Sequence, residues 1–173
     1  TVLSEPSRSL FAGLRPYQTP VAAALLVLCA ALGLYSAFWG IQFFNSARAN
    51  NKGVTLIGDE TRPGPVSQLR VMLQEKREQL GNPNLSAADR QKLEREAAYF
   101  EALFNEKREE AIGHFEKAVK ISPSAVTSLY KLASLYSMGS SMNPRESDYR
   151  KALETYLKIQ KYWPEYSQMQ YNL

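Results

Sequence analysis

The chain is 173 residues long, with 45% hydrophobic residues, a single Cys and a single His, which leaves room for one compact domain or for a small domain plus a membrane segment. One Cys excludes an intrachain disulfide and a zinc site built from several thiolates, and one His removes imidazole-rich metal sites and weakens any Ser/His/Asp or Cys/His nucleophile. The net charge of +4 is spread along the chain, and runs such as Glu106-Lys107-Arg108-Glu109-Glu110 alternate in sign, so the clustered cations that nucleic-acid binding requires are not expected.

Residues 1–20 read as a short N-terminal extramembrane segment. From Val21 to Phe44 the chain runs 24 residues without a formal charge. As a helix this is roughly 36 Å long, enough to cross a hydrocarbon core of about 30 Å with some tilt. A cleavable signal peptide has an apolar stretch of only about 7 to 15 residues, so the sequence predicts a retained single-pass anchor. Tyr35, Phe38, Trp39, Phe43 and Phe44 gather at the C-terminal side, where amphipathic rings favour the lipid–water boundary. Arg8 and Arg15 before the span balance Arg48 and Lys52 after it, which leaves the orientation open. Gly33 with Ala37 and Ser36 with Gly40 form two small-xxx-small pairs on one face, a candidate packing surface for another transmembrane helix. Cys29 sits mid-span as a small space-filling thiol.

Residues 45–65, rich in Asn, Gly and Pro, read as a linker, with Val54-Thr55-Leu56-Ile57 as a brief strand or a docking segment. A helical domain follows over 66–173. Leu69, Met72, Leu73, Lys76 and Leu80 carry the spacing of a first helix, stopped by Gly81 and Pro83. Ser86 with Asp89 opens the next, with Leu93, Ala97, Phe100 and Phe104 as its stripe. Asn105 to Arg108 reads as a tight connection into a helix carrying Ala111, Phe115, Ala118 and Val119 and ending near Pro123. Ser124 caps a further helix through Leu129, Leu132, Ala133, Leu135 and Tyr136, ending at Gly139. After a loop, Asn143 as N-cap and Pro144 at the first helical position open the last helix, with Ala152, Leu153, Tyr156, Leu157 and Ile159, stopped at Trp163-Pro164. The fold class expected is all-α, an array of short antiparallel hairpins.

Ala111, Phe115, Ala118 and Pro123 are spaced by four, three and five residues, and Ala152, Tyr156, Ile159 and Pro164 repeat that spacing. Leu129, Leu132, Ala133 and Tyr136 supply a large, Leu, small and Tyr pattern between them. In these residues the chain resembles the tetratricopeptide-repeat family, of the N-terminally membrane-anchored type. The resemblance implies an α-solenoid with repeats at about 92–125 and 126–166 and the start of a third at 167–173. It departs from the pattern in the first unit, where Tyr99 and Ala102 stand in place of a small residue and a Tyr, and in an insertion over 138–147. The sequence stops within a repeat and lacks an initial Met, so a longer protein trimmed at its ends is expected.

No catalytic constellation is expected. His114 lies between Gly113 and Phe115 in a helix, Glu109 and Glu110 point about 100° apart on a helix, and the Gly53 to Gly58 stretch is not followed by the Lys-Ser/Thr of a phosphate loop. The resemblance implies protein binding instead, on a groove of first helices that places Phe100, Thr127, Tyr130, Lys131 and Ser134 at the surface. Glu96, Phe100, Tyr130 and Ser134 stand where chaperone-docking arrays carry Lys and Asn, which disfavours that partner class. The expected role is a non-enzymatic scaffold, an accessory subunit or assembly factor of a multisubunit membrane complex in a mitochondrial inner or photosynthetic membrane. The alternative is a receptor whose groove binds targeting peptides. Expected partners are other protein subunits and membrane lipid, with no nucleic acid and no small-molecule substrate.

Overall fold

Whether a weak helix former joins a helix depends on what it buries, because tertiary packing contributes more to helix stability than propensity does. In the computed structural model, which describes residues 15–59, 61–142 and 146–165, α1 spans Arg15–Ile57 and continues 13 residues past Phe44. The Asn- and Gly-rich stretch expected as a linker is therefore helical through Ile57, and of the two readings of Val54 to Ile57 the docking segment, not the strand, fits the packing of Val54, Leu56 and Ile57 on the core. The cause is its stripe: Ser46, Ala49, Gly53 and Ile57 recur every three or four residues, and all four are buried.

Gly58 ends α1 with φ +82°, the left-handed conformation that a Cβ disfavours, and its N–H donates to Val54 O at 2.7 Å. Asp59 Oδ1 then accepts from the backbone N–H groups of Thr61 and Arg62 and from the Thr61 hydroxyl, which holds the turn. These bonds pull the Asp59 carboxyl below its ordinary value, the Thr61 hydroxyl contributing most.

Helix α2, Pro65–Leu80, has Pro at its first position, where the missing N–H costs nothing. Ser67 Oγ donates to Ile57 O at 2.6 Å and ties α2 to the end of α1. Helix α3, Ala87–Ile121, is capped as expected: Ser86 Oγ accepts from Asp89 N–H at 3.1 Å and donates to the Asp89 carboxylate at 2.6 Å. Lys76–Glu96 and Arg77–Glu101 ion pairs join the α2–α3 hairpin. Helices α4, Val126–Met142, and α5, Glu146–Tyr162, complete the order.

The connection expected at Asn105–Arg108 is absent, since α3 is one helix of 35 residues. Its buried stripe runs Ala97, Phe104, Arg108, Ala111, Phe115 and Ala118 without a break. A cation in that stripe reads as a loop residue, but Arg108 is only 4% exposed and fully engaged. Its Nε donates to Leu135 O on α4 at 2.8 Å, its Nη2 to Asp148 Oδ2 on α5 at 3.0 Å, and its Nη1 to Glu109 at 3.3 Å. Helix α4 also runs past the expected stop at Gly139, and it opens at Val126, one residue after the start that a Ser124 cap implies.

Residues 1–41 form one unit and 42–173 a second. The second has a core of Phe104, Phe115, Leu129, Leu135, Tyr156 and Ile159, joined by Ile57 from α1 and Val66 from α2. Among the described residues the architecture is all-α, the only extended pairing being a single bridge between Gly58 and Pro63. Asn143, Pro144, the expected third-repeat start at 167–173 and residues 1–14 lie outside the described residues.

At Gly53 α1 lies close against α3: a Cβ placed there would stand 2.6 Å from Cε2 of the fully buried Phe115. Gly53→Ala is expected to cost about 1 to 2 kcal/mol, overpacking outweighing helix propensity, whereas Gly113→Ala, with open space around it, gains about 0.5 to 1 kcal/mol. Thermal unfolding followed by circular dichroism reads both signs. Asp148→Ala, which leaves the Arg108 guanidinium short of a partner, is expected to cost about 2 to 4 kcal/mol. The double change Arg108→Met with Asp148→Leu costs less than that single change, because it leaves no orphaned charge; urea midpoints compare the two.

Candidate functional site

Helix α5 carries two apolar seams. Ala152, Tyr156 and Ile159, spaced by four and three, turn into the core and are buried. Tyr149, Leu153 and Leu157, spaced by four and four, form the second, and they stay 55%, 50% and 49% exposed. In the sequence Leu153 and Leu157 stand with Ala152, Tyr156 and Ile159 as apolar residues of one helix, with no division between them. Both fit a helical period, but Leu153 and Leu157 lie about 100° round the helix from Ala152 and Tyr156 on the side away from the core, whereas Thr155, on the other side of Tyr156, is buried. The doubled spacing was the available signal for this second face. Tyr162 and Trp163 extend the exposed apolar surface, and with Pro164 and Glu165 they line a shallow cleft of about 300 Å³ at the end of the helix.

The proposed groove residues divide. Thr127, Tyr130, Lys131 and Ser134 stand on α4 at intervals of three, one and three, which aligns them on one side of the helix. Leu129, Leu132, Ala133 and Tyr136 occupy the opposite side and are buried. Thr127 is exposed; Tyr130, Lys131 and Ser134 are half-buried. Tyr130 packs edge-to-face on Tyr156 of α5 with ring centroids 6.4 Å apart, so it has the packing role as well as an accessible edge. Phe100 is half-buried on the N-terminal half of α3, and its ring meets Tyr99 of the same helix at 5.7 Å. The structure thus brings four of the five together and gives Phe100 a ring partner elsewhere.

A second cleft, of about 290 Å³, lies among α3, α4 and α5 and is lined by Glu116, Lys120, Tyr136, Lys151, Glu154 and Lys158 among others. Tyr136 O–H donates to Glu116 Oε1 at 2.7 Å, and Lys151 Nζ sits 5.4 Å from the centre of the Tyr136 ring. Burial, and then the Glu116 carboxylate, push the Tyr136 hydroxyl well above its ordinary value. Its surroundings are mixed in sign, and the residues serve to lock three helices together. The sequence offered Tyr136 as a repeat-pattern residue but gave no sign of its partner, 20 positions away.

In the first unit the candidate helix-packing residues Gly33, Ser36, Ala37 and Gly40 are all exposed, with nothing within 4 Å of a Cβ placed at either glycine. Trp39 meets Tyr35 and Phe38 edge-to-face at 6.1 and 6.2 Å. This helix is long and apolar enough to cross a membrane. Comparison with protein-family models, curated proteins and solved structures gave no match.

The Tyr136 hydroxyl has a defined pH consequence. Its value is raised in the folded state, so its contribution to stability is complete below the unfolded value of about 10 and is lost as pH rises above it. Tyr136→Phe is expected to cost about 1 kcal/mol near neutral pH and to flatten the fall of the urea midpoint above that pH. An unchanged slope in the variant would show that other groups carry it.

Proposed function

We propose that this chain is a membrane-anchored interaction scaffold built from tetratricopeptide-like helix pairs, a non-enzymatic accessory subunit or assembly factor of a multisubunit membrane complex. The observation that carries the reading is the uncovered apolar seam of Tyr149, Leu153 and Leu157 on α5. A repeat array stacks helix pairs, and each pair leaves an apolar face for the next element to cover. Half-exposed leucines at a regular spacing are what such a face looks like before its partner arrives.

The burial pattern supports the repeat reading. Ala111, Phe115 and Ala118 are buried, and so are Ala152, Tyr156 and Ile159 at the same relative positions. The continuous α3 denies the first unit a first helix at 92–104, yet α1 offers one: Ala49, Lys52, Gly53 and Leu56 have the intervals of Leu129, Leu132, Ala133 and Tyr136. Gly53, at the small position, is the residue against Phe115. Asn50 Oδ1 accepts from Ser128 Oγ at 2.8 Å, joining the two first-helix segments. On this reading the first repeat is split, with α2 and the N-terminal half of α3 inserted between its helices.

The anchor rests on the charge-free run from Val21 to Phe44, none of whose strongest window is buried. Confinement to a plane raises the effective concentration of partners in the same membrane without new contacts. Alkaline carbonate washing is expected to leave the chain in the membrane pellet, and crosslinking mass spectrometry on those membranes to join α4 or α5 to a second protein. Leu153→Asp with Leu157→Asp is expected to weaken that association by about thirtyfold or more, since each leucine contributes of order 1 kcal/mol, with helicity unchanged. Crosslinks that persist in this variant but vanish in Tyr130→Ala with Lys131→Ala would move the partner to the α4 face.

A further inference from the structure

Three cations of two helices converge on one cleft that the proposed scaffold role does not use. Arg48 and Lys52 of α1 and Lys117 of α3 line a space of about 300 Å³ together with Asn45, Ala49 and His114. No acidic residue lines it. Among the described residues, no carboxylate lies within ion-pair distance of Arg48, Lys52 or Lys117, as for several other surface cations, but these three share one cleft. The small side chain of Ala49, 3% exposed, forms the floor and leaves the volume between the cationic side chains open. Asn45 and His114 add polar groups to the rim.

The cleft also has a defined place along the chain. Arg48 and Lys52 follow Phe44, the end of the apolar run, by four and eight positions in the same helix. At about 1.5 Å per residue these are roughly 6 and 12 Å beyond the apolar run, while the polar layer on each side of a bilayer is about 5 to 8 Å deep. Arg48 falls at headgroup depth, and the long stem of Lys52 can bring its ammonium back toward it. Cations in this position attract anionic lipid. A guanidinium and two ammonium groups, with no acid between them, are the chemistry that recognises a phosphate group.

We propose that the Arg48–Lys52–Lys117 cleft binds the phosphate headgroup of an anionic phospholipid. The assignment rests on the membrane anchor proposed above, and it adds a lipid preference to an anchor that by itself accepts any bilayer.

The test uses the full chain. Flotation with pure phosphatidylcholine vesicles reads the anchor alone; failure to float overturns the anchor and the headgroup assignment with it. The chain is next inserted into vesicles of phosphatidylcholine and phosphatidylglycerol, extracted in a mild neutral detergent, and its retained lipid measured by mass spectrometry. Phosphatidylglycerol is expected to be enriched over its share of the vesicle. In R48Q/K52Q/K117Q that enrichment falls by about tenfold or more. R70Q/R95Q/K161Q, with the same change in net charge at exposed positions away from the cleft, retains it. All three cleft residues are exposed, and circular dichroism checks that the variant folds. Equal retention by the cleft variant, or equal loss in the control, overturns the proposal. So does inorganic phosphate that stabilises the detergent-solubilised chain against heat as well as phosphatidylglycerol does, because the cleft is then a site for free anions.

Discussion

A guanidinium taken out of water must find partners for its N–H groups, and Arg108 imposes that demand on three helices at once. It cannot be deprotonated, so its burial is tolerable only where fixed acceptors surround it. Leu135 O fixes the height of α4 against α3, Asp148 fixes the start of α5, and the core residues between them then have one arrangement that satisfies the cation. A slide of α5 by a single turn would move Asp148 by about 5.4 Å and leave Arg108 with the partly exposed Glu109 as its remaining carboxylate. The surrounding apolar contacts supply the bulk of the stability, but apolar contacts are adaptable. The ionic contact selects among the ways they can pack.

The same residue explains where sequence and structure part company. Helix ends were legible where a local signal sets them: Ser86 with Asp89 at the start of α3 and Gly81 after Leu80 at the end of α2. The long apolar run was legible from composition alone. The errors fall where a residue of poor local character is held by something distant. Arg108 reads as a loop cation until its acceptors, 27 and 40 positions away, are known. Asn50, Asn51 and Gly53 read as a linker until Phe115 and Ser128 are set against them. Gly139 lies within α4 rather than ending it. For Arg108, Asn50 and Gly53 the missing information is a partner, and a single sequence names no partners.

The site was legible to a different degree. Four residues on α4 share a face because their intervals require it, and that holds whatever packs nearby. Phe100 was assigned through a repeat boundary that the continuous α3 removes, so its grouping with α4 has lost its basis. The exposed seam of α5 went unread because an apolar residue at helical spacing is ordinarily core. Only the burial of Ala152, Tyr156 and Ile159 shows that Leu153 and Leu157 are left outside.

These observations change what counts as a domain in this chain. A boundary in the Asn-rich stretch would cut between Phe44 and Pro65, yet Ser46, Ala49, Gly53 and Ile57 belong to the second unit's interior and the Ser46 hydroxyl donates to Ala118 O at 3.2 Å. Removing them would uncover Phe115 and take one neighbour from α3. The physical boundary at residues 41 and 42 instead falls inside a continuous helix, among residues that still belong to the apolar run. Here one helix carries both the membrane-crossing candidate and a stripe of the core, so a long apolar run and the packing of Ser46, Ala49, Gly53 and Ile57 are built on the same hydrogen-bonded element.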